Sequence, residues 1–185
     1  MENIILTGYM GSGKTTVGRN VAKMTHYTFV DTDEMIVEQQ HRSISEIFAE
    51  EGEQAFRDME TALLRQLVAE KKEHLVISTG GGMPLRKENR QLLSQLGTVV
   101  YLKACPETIY NRIKGDTTRP LLQCEDPMGR IGEMIAVREP LYKEGAVFTV
   151  DVDELIQSEA AAEILKISPA MNASNKDLLR RSTAK

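Results

Sequence analysis

Hydrophobic positions in this chain fall in short contiguous runs separated by stretches of helical period. Ile4, Ile5 and Leu6 are contiguous and turn residues follow, so residues 3–7 read as a short buried strand. Over 15–24, Val17, Val21 and Met24 recur on one helical face. A second strand is predicted at 28–30, then helical pieces at 32–40 and 43–51. Ser43 and Glu46 have the capping-box spacing, and Ile44, Ile47 and Phe48 form an apolar stripe. Gly52 breaks that piece. A long helix over 53–72 turns Phe56, Met59, Leu63, Leu64 and Leu67 inward. Strand 75–78 ends in Gly80, Gly81 and Gly82. A helix at 86–96, a strand at 99–102 and a helix at 106–114 opening on Pro106 come next. Residues 115–127 are polar and rich in breakers; helix 128–142, strand 147–150 and helix 159–167 complete the pattern. Strands alternating with helices imply an α/β domain, a parallel sheet covered on both faces. One domain is expected over 1–167, followed by a flexible tail over 168–185 that carries no packing pattern.

Composition narrows the classes. The chain has 185 residues, 41% hydrophobic and 27% charged, which suits one folded domain and argues against wholesale disorder. No apolar run approaches the ~20 residues that span a bilayer, and the first residues lack a basic segment, so a cytoplasmic protein without a membrane partner is expected. Two cysteines, Cys105 and Cys124, are too few for a metal centre or a disulfide framework. The net charge is −4, and residues 1–167 alone carry −7 once the basic tail is set aside. An acidic body with nine aromatic residues and no tryptophan argues against nucleic acid as a partner. A local cluster of arginines still allows a small anionic ligand.

Gly8-Tyr9-Met10-Gly11-Ser12-Gly13-Lys14-Thr15 matches G-x-x-x-x-G-K-[ST], with a predicted strand before it and a helix after it. Glycines let the backbone curl so that Gly11, Ser12, Gly13 and the residues up to Thr16 turn N–H groups toward phosphate oxygens. The helix adds its positive end, Lys14 reaches the β- and γ-phosphates, and Thr15 offers a hydroxyl to Mg²⁺. This signature indicates a nucleoside triphosphate. It does not choose the reaction.

A GTPase switch would carry N-K-x-D; the nearest string, Asn175-Lys176-Asp177, is a residue short and lies in the tail. A small-molecule kinase fits the size. Asp31 and Asp33 straddle the end of the second strand, the edge where open α/β sheets bind ligands. One can hold Mg²⁺ through water while the other takes a hydroxyl proton; both also suit the N-cap of the next helix. Gly80, Gly81 and Gly82 suit a close backbone approach to a ligand, or a simple turn. Arg57, Arg112, Arg119 and Arg138 are either surface charges or anion ligands. Arg119 lies in the breaker-rich segment, where a cation can close over a transferring phosphoryl group.

These segments together resemble the shikimate kinase family. The pieces are Gly8 to Thr15, Asp31-Thr32-Asp33, Phe56-Arg57-x-x-Glu60, Gly80-Gly81-Gly82, Arg119-Pro-Leu-Leu122 and Arg138-x-x-x-Tyr142, in family order across residues 3–167. The segment from Ser43 to Phe48 is similar to the family's acceptor-binding region. The resemblance implies a three-layer, nucleoside-monophosphate-kinase-like P-loop fold with a five-stranded parallel sheet. It implies ATP- and Mg²⁺-dependent phosphorylation of the 3-hydroxyl of shikimate, in aromatic amino-acid biosynthesis. By the same match Asp33, Arg57, Arg138 and the three glycines bind shikimate, and Asp33 is the candidate base. Thr15 binds Mg²⁺ directly, and Asp31 binds it through water. Lys14 and Arg119 stabilise the phosphoryl group, and Arg112 lies against adenine. Residues 115–127 match a lid, and a monomer is expected. A gluconate kinase shares the P-loop but not the FRxxE and RPLL strings. A noncatalytic nucleotide-dependent partner would lack a full set of acceptor-binding groups. The basic tail and the acidic run Asp151-Val152-Asp153-Glu154, where the adenine-contacting loop falls, match no family residue.

Overall fold

The computed structural model describes residues 3–115 and 124–167. Five parallel strands form one sheet: β1 (Asn3–Thr7), β2 (Thr28–Asp31), β3 (Leu75–Ser78), β4 (Gly97–Lys103) and β5 (Phe148–Asp151), in the order β2-β3-β1-β4-β5. β1 is central and pairs with β3 and β4 on its two sides. From β1 the chain skips to the edge strand β2, returns inward to β3, then crosses to β4 and β5 on the other side, which places a topological switch point at the carboxyl end of β1. Gly8 follows directly there.

Seven helices flank the sheet among the described residues: α1 (Lys14–Thr25), α2 (Thr32–Gln40), α3 (Ile44–Glu70), α4 (Lys87–Leu96), α5 (Pro106–Ile113), α6 (Pro127–Gly145) and α7 (Gln157–Ile167). The period of two along the strands divides the core. Ile4, Leu6, Val76 and Val100 face α1 and α7, where Val17, Val21, Ala160 and Ile164 meet them. Ile5, Ile77 and Val99 face α3 and α4, against Leu63, Leu64, Leu67 and Leu93. Contiguous apolar runs are what a strand buried on both faces needs.

The helices predicted on either side of Gly52 form one run with a kink, Gly52 standing at φ 85° and ψ 171°. Ser43 caps it as expected: its hydroxyl accepts from the Glu46 N–H at 3.2 Å, and the Glu46 carboxylate accepts from the Ser43 N–H at 2.7 Å. Two positions of the apolar stripes are exposed. Met24 is 48% exposed because α1 ends one residue later, beyond the cover of the sheet. Phe48 is 39% exposed because the first part of α3 leaves the core to wall a cleft. Arg119 and residues 116–123 of the expected lid lie outside the described residues, as does the tail over 168–185.

Candidate active site

The loop after β1 bends through Gly11 (φ 76°) and Gly13 (φ 94°), left-handed conformations that a Cβ strongly disfavours. It delivers the chain into the N-terminus of α1. A cleft of about 350 Å³ opens over that end, lined by Gly11, Ser12, Gly13, Lys14, Thr15, Thr16 and Arg112. Backbone N–H groups at a helix start and a lysine make this an anion site. Lys14 is buried, and its Nζ donates to the Gly8 and Tyr9 carbonyls at 2.9 Å each. Arg112 donates to the Ser12 carbonyl at 3.2 Å and the Val152 carbonyl at 2.9 Å, tying the loop to the segment after β5.

That segment supplies a wall the sequence reading left unassigned. Val152, Leu155, Gln157 and Ala160 line the far side of the cleft. Its acidic look hides an alternation: Val152 is buried at 2% exposure, while Asp151 points to solvent and pairs with Lys103. A mostly apolar wall beside a phosphate cradle suits a nucleobase.

Asp31 caps the next helix and also meets the phosphate loop. Its Oδ1 accepts from the Asp33 N–H at 3.0 Å and caps α2. Its Oδ2 accepts from the Thr15 hydroxyl at 3.1 Å. A hydroxyl and a carboxylate so placed beside a phosphate cradle fit Mg²⁺, which is held mostly by phosphate and water rather than by a protein cage. Among the described residues no group of three or more His, Cys, Asp or Glu is arranged to hold a metal ion.

A second cleft of about 230 Å³ adjoins the cradle. Asp33, Arg57, Gly80, Gly81, Gly82 and Arg138 line it, so the structure gathers all six predicted acceptor residues. Met10, Ile44, Phe48, Phe56 and Glu60 complete its wall. The glycines are small for a steric reason. A Cβ on Gly80 would collide with the Asp33 and Glu60 carboxylates, and one on Gly82 with the Arg57 guanidinium. The Gly80 N–H donates to the Thr32 hydroxyl at 3.0 Å, anchoring the glycine loop to α2. Arg57 donates to Glu60 at 2.9 Å and to Glu53 at 2.8 Å. Arg138 lies over the Tyr9 ring, 5.5 Å from its centroid.

Asp33 is held above the ordinary carboxylate range, first by burial and then by the Asp31 charge, against the pull of Lys14 and Arg57. Its Oδ1 is buried without a hydrogen-bond partner among the described residues. Glu60 is fully buried, and burial pushes its carboxyl up to about 7 despite the opposing Arg57. Between its ordinary value near 4.5 and about 7, the folded chain keeps a proton on Glu60 that the unfolded chain has lost. Stability contributed by this group therefore falls as pH rises through that window, by roughly 3 kcal/mol in all. Glu60→Gln removes the titration. Its melting temperature relative to wild type is expected to climb from pH 5 to pH 8, and an offset equal at both pH values contradicts the assignment.

Comparison with known proteins agrees with this geometry. The family model described as shikimate kinase matches residues 10–168. The chain belongs to the shikimate kinase family. A shikimate kinase of Neisseria meningitidis serogroup C is 49% identical over 148 residues, covering 80% of this chain and 86% of the relative. A structure of shikimate kinase from Acinetobacter baumannii in complex with shikimate superposes with a TM-score of 0.84 at 39% identity, covering 95% of each chain. A gluconokinase from Sinorhizobium meliloti superposes at 0.51 with 17% identity, over 98% of this chain and 97% of the other, a likeness of fold alone. The shikimate kinase relatives carry the three-layer P-loop kinase architecture seen here.

Proposed function

We propose that the chain transfers the γ-phosphoryl group of ATP to the 3-hydroxyl of shikimate, giving shikimate 3-phosphate and ADP. The observation that carries the reading is the second cleft. A half-buried carboxylate, one oxygen of which has no partner among the described residues, faces two arginines and a glycine loop, directly beside a phosphate cradle. That set matches a carboxylated, hydroxylated ring. Arg57 and Arg138 take the carboxylate, and Asp33 and the backbone of Gly80, Gly81 and Gly82 take the hydroxyls. Ile44, Phe48 and Phe56 give the ring an apolar wall, which an open-chain sugar acid would not use.

The P-loop amides and Lys14 bind the phosphates and stabilise charge as the phosphoryl group moves. Arg112 and the Val152–Leu155 wall border the nucleobase. Thr15 would hold Mg²⁺ directly and Asp31 through water, and the ion neutralises phosphate charge when bound. Asp33 accepts the 3-hydroxyl proton as that oxygen bonds to the γ-phosphorus and the bond to the β-phosphate oxygen breaks, releasing ADP. Arg119 is assigned to the transferring group by its place in the family string alone. The reading includes a cytoplasmic monomer of one domain over 1–167 with a dispensable tail.

Phosphorus-31 correlation spectroscopy on an incubation with Mg²⁺-ATP and shikimate tests the regiochemistry. A product phosphorus coupled to the ring proton at carbon 3 is expected. Coupling to the proton at carbon 4 or 5 would move the acceptor hydroxyl away from Asp33 and overturn the placement.

A further inference from the structure

Tyr142 lies outside the phosphate cradle and is not among the residues lining the acceptor cleft, yet it touches the acceptor machinery on two sides. Its ring is 1% exposed and stacks on Tyr101, with centroids 5.2 Å apart and planes at 26°. Its hydroxyl donates to the Gly81 carbonyl at 2.6 Å. The Arg138 guanidinium, one helical turn earlier on α6, stands close to the same oxygen, and its charge opposes the upward pull of burial on that hydroxyl. A carbonyl only accepts, so the single hydroxyl proton points at Gly81 and the oxygen's lone pairs stay open to a guanidinium donor.

The link crosses 61 residues of sequence and joins α6 to the glycine loop. Gly81 in turn packs on the phosphate loop, where an added Cβ would stand 3.3 Å from the Met10 nitrogen and 3.5 Å from the Gly8 oxygen. Among the described residues Arg138 makes no ion pair, and its guanidinium lies over the Tyr9 ring. A long side chain set between a ring face and a hydroxyl is held in place before a ligand arrives, which reduces the ordering cost of binding.

We propose that Tyr142 is a positioning residue for the acceptor, its hydroxyl fixing the Arg138 guanidinium relative to the glycine-loop backbone so that both meet one ligand in a single geometry. The inference rests on the acceptor reading of the second cleft. Burial pushes the Tyr142 hydroxyl up to about 12, so it keeps its proton, and its bond to Gly81, across the working range of pH.

Tyr142→Phe removes one oxygen and keeps the ring and its stack on Tyr101. Calorimetric titration with shikimate is expected to show about tenfold weaker binding, the size of one or two lost hydrogen bonds. ADP affinity is expected to be unchanged, and kcat at saturating shikimate to stay within about threefold. In an Arg138→Ala background the same substitution is expected to add little, since the hydroxyl acts through Arg138. Unchanged shikimate affinity overturns the inference. So does parallel weakening of both ligands with a lowered melting temperature, or failure of the variant to fold, because each assigns the hydroxyl a structural role. Wild-type protein that ignores shikimate overturns the acceptor reading and this inference with it. Wild-type binding that Tyr142→Phe leaves intact overturns the inference alone.

Discussion

Asp33→Asn is expected to lower kcat by about 10²–10⁴-fold, the usual contribution of a positioned general base. The amide keeps the size of the side chain and can still donate to or accept from a substrate hydroxyl, so KM for either substrate is expected to change little. What it loses is the ability to take a proton. The half-buried carboxylate is well placed for that role: the Asp33 backbone N–H is held by Asp31, and one carboxylate oxygen is buried without a partner among the described residues. Because burial and the Asp31 charge raise its pKa, kcat/KM is expected to fall on the acid side at a higher pH than an exposed aspartate would give. The loss follows from protonation of Asp33 as pH drops through that raised value. Near-normal turnover of Asp33→Asn at saturating shikimate would show that the base lies elsewhere.

The two arginines should separate binding from stability. Arg138→Ala and Arg57→Ala are each expected to raise KM for shikimate by about 30-fold or more, the loss of a charge-assisted contact of roughly 2–3 kcal/mol. KM for ATP should hold. Only Arg57→Ala is expected to lower the melting temperature strongly at pH 8. Its guanidinium is the close partner of the fully buried Glu60, and removing one member of a buried pair typically costs about 3–5 kcal/mol. At pH 5 Glu60 is already protonated, so the stability gap should shrink. Arg138, lying over a tyrosine ring, leaves no buried carboxylate behind. Equal stability losses in the two variants, measured at both pH values, would contradict this division. Unchanged acceptor kinetics in both would remove the carboxylate assignment.

What the sequence revealed of this site follows from how locally each part is built. The phosphate cradle is eight consecutive residues, so its glycines, lysine and threonine are legible as a string, with strand and helix on either side. The Asp31 and Asp33 pair sits two residues apart at a strand end, and the competing capping reading proved to be the same geometry seen from α2. The three central strands, β3, β1 and β4, were visible because a strand buried on both faces needs an unbroken apolar run.

The unread parts depend on contacts between distant segments. Glu60 stands in a family string, but its role follows from burial against Gly80, Arg57 and Asp33, which no spacing reveals. Tyr142 meets Gly81 only because α6 folds back across the carboxyl edge of the sheet. The far wall of the first cleft was obscured by charge: in Asp151-Val152-Asp153-Glu154-Leu155 the acidic residues dominate the composition while Val152 and Leu155 face the cleft. Phe48 lies in the segment likened to the family's acceptor-binding region, and the structure places it in the wall of the second cleft.

The most direct test of the central claim is a coupled ADP-release assay with Mg²⁺-ATP, run with shikimate, with gluconate and with no acceptor. Turnover that depends on shikimate and is at background with the other two is the predicted result. Turnover with gluconate, or ADP release indifferent to any acceptor, would contradict it, leaving the phosphate cradle in place and the second cleft without the substrate proposed for it.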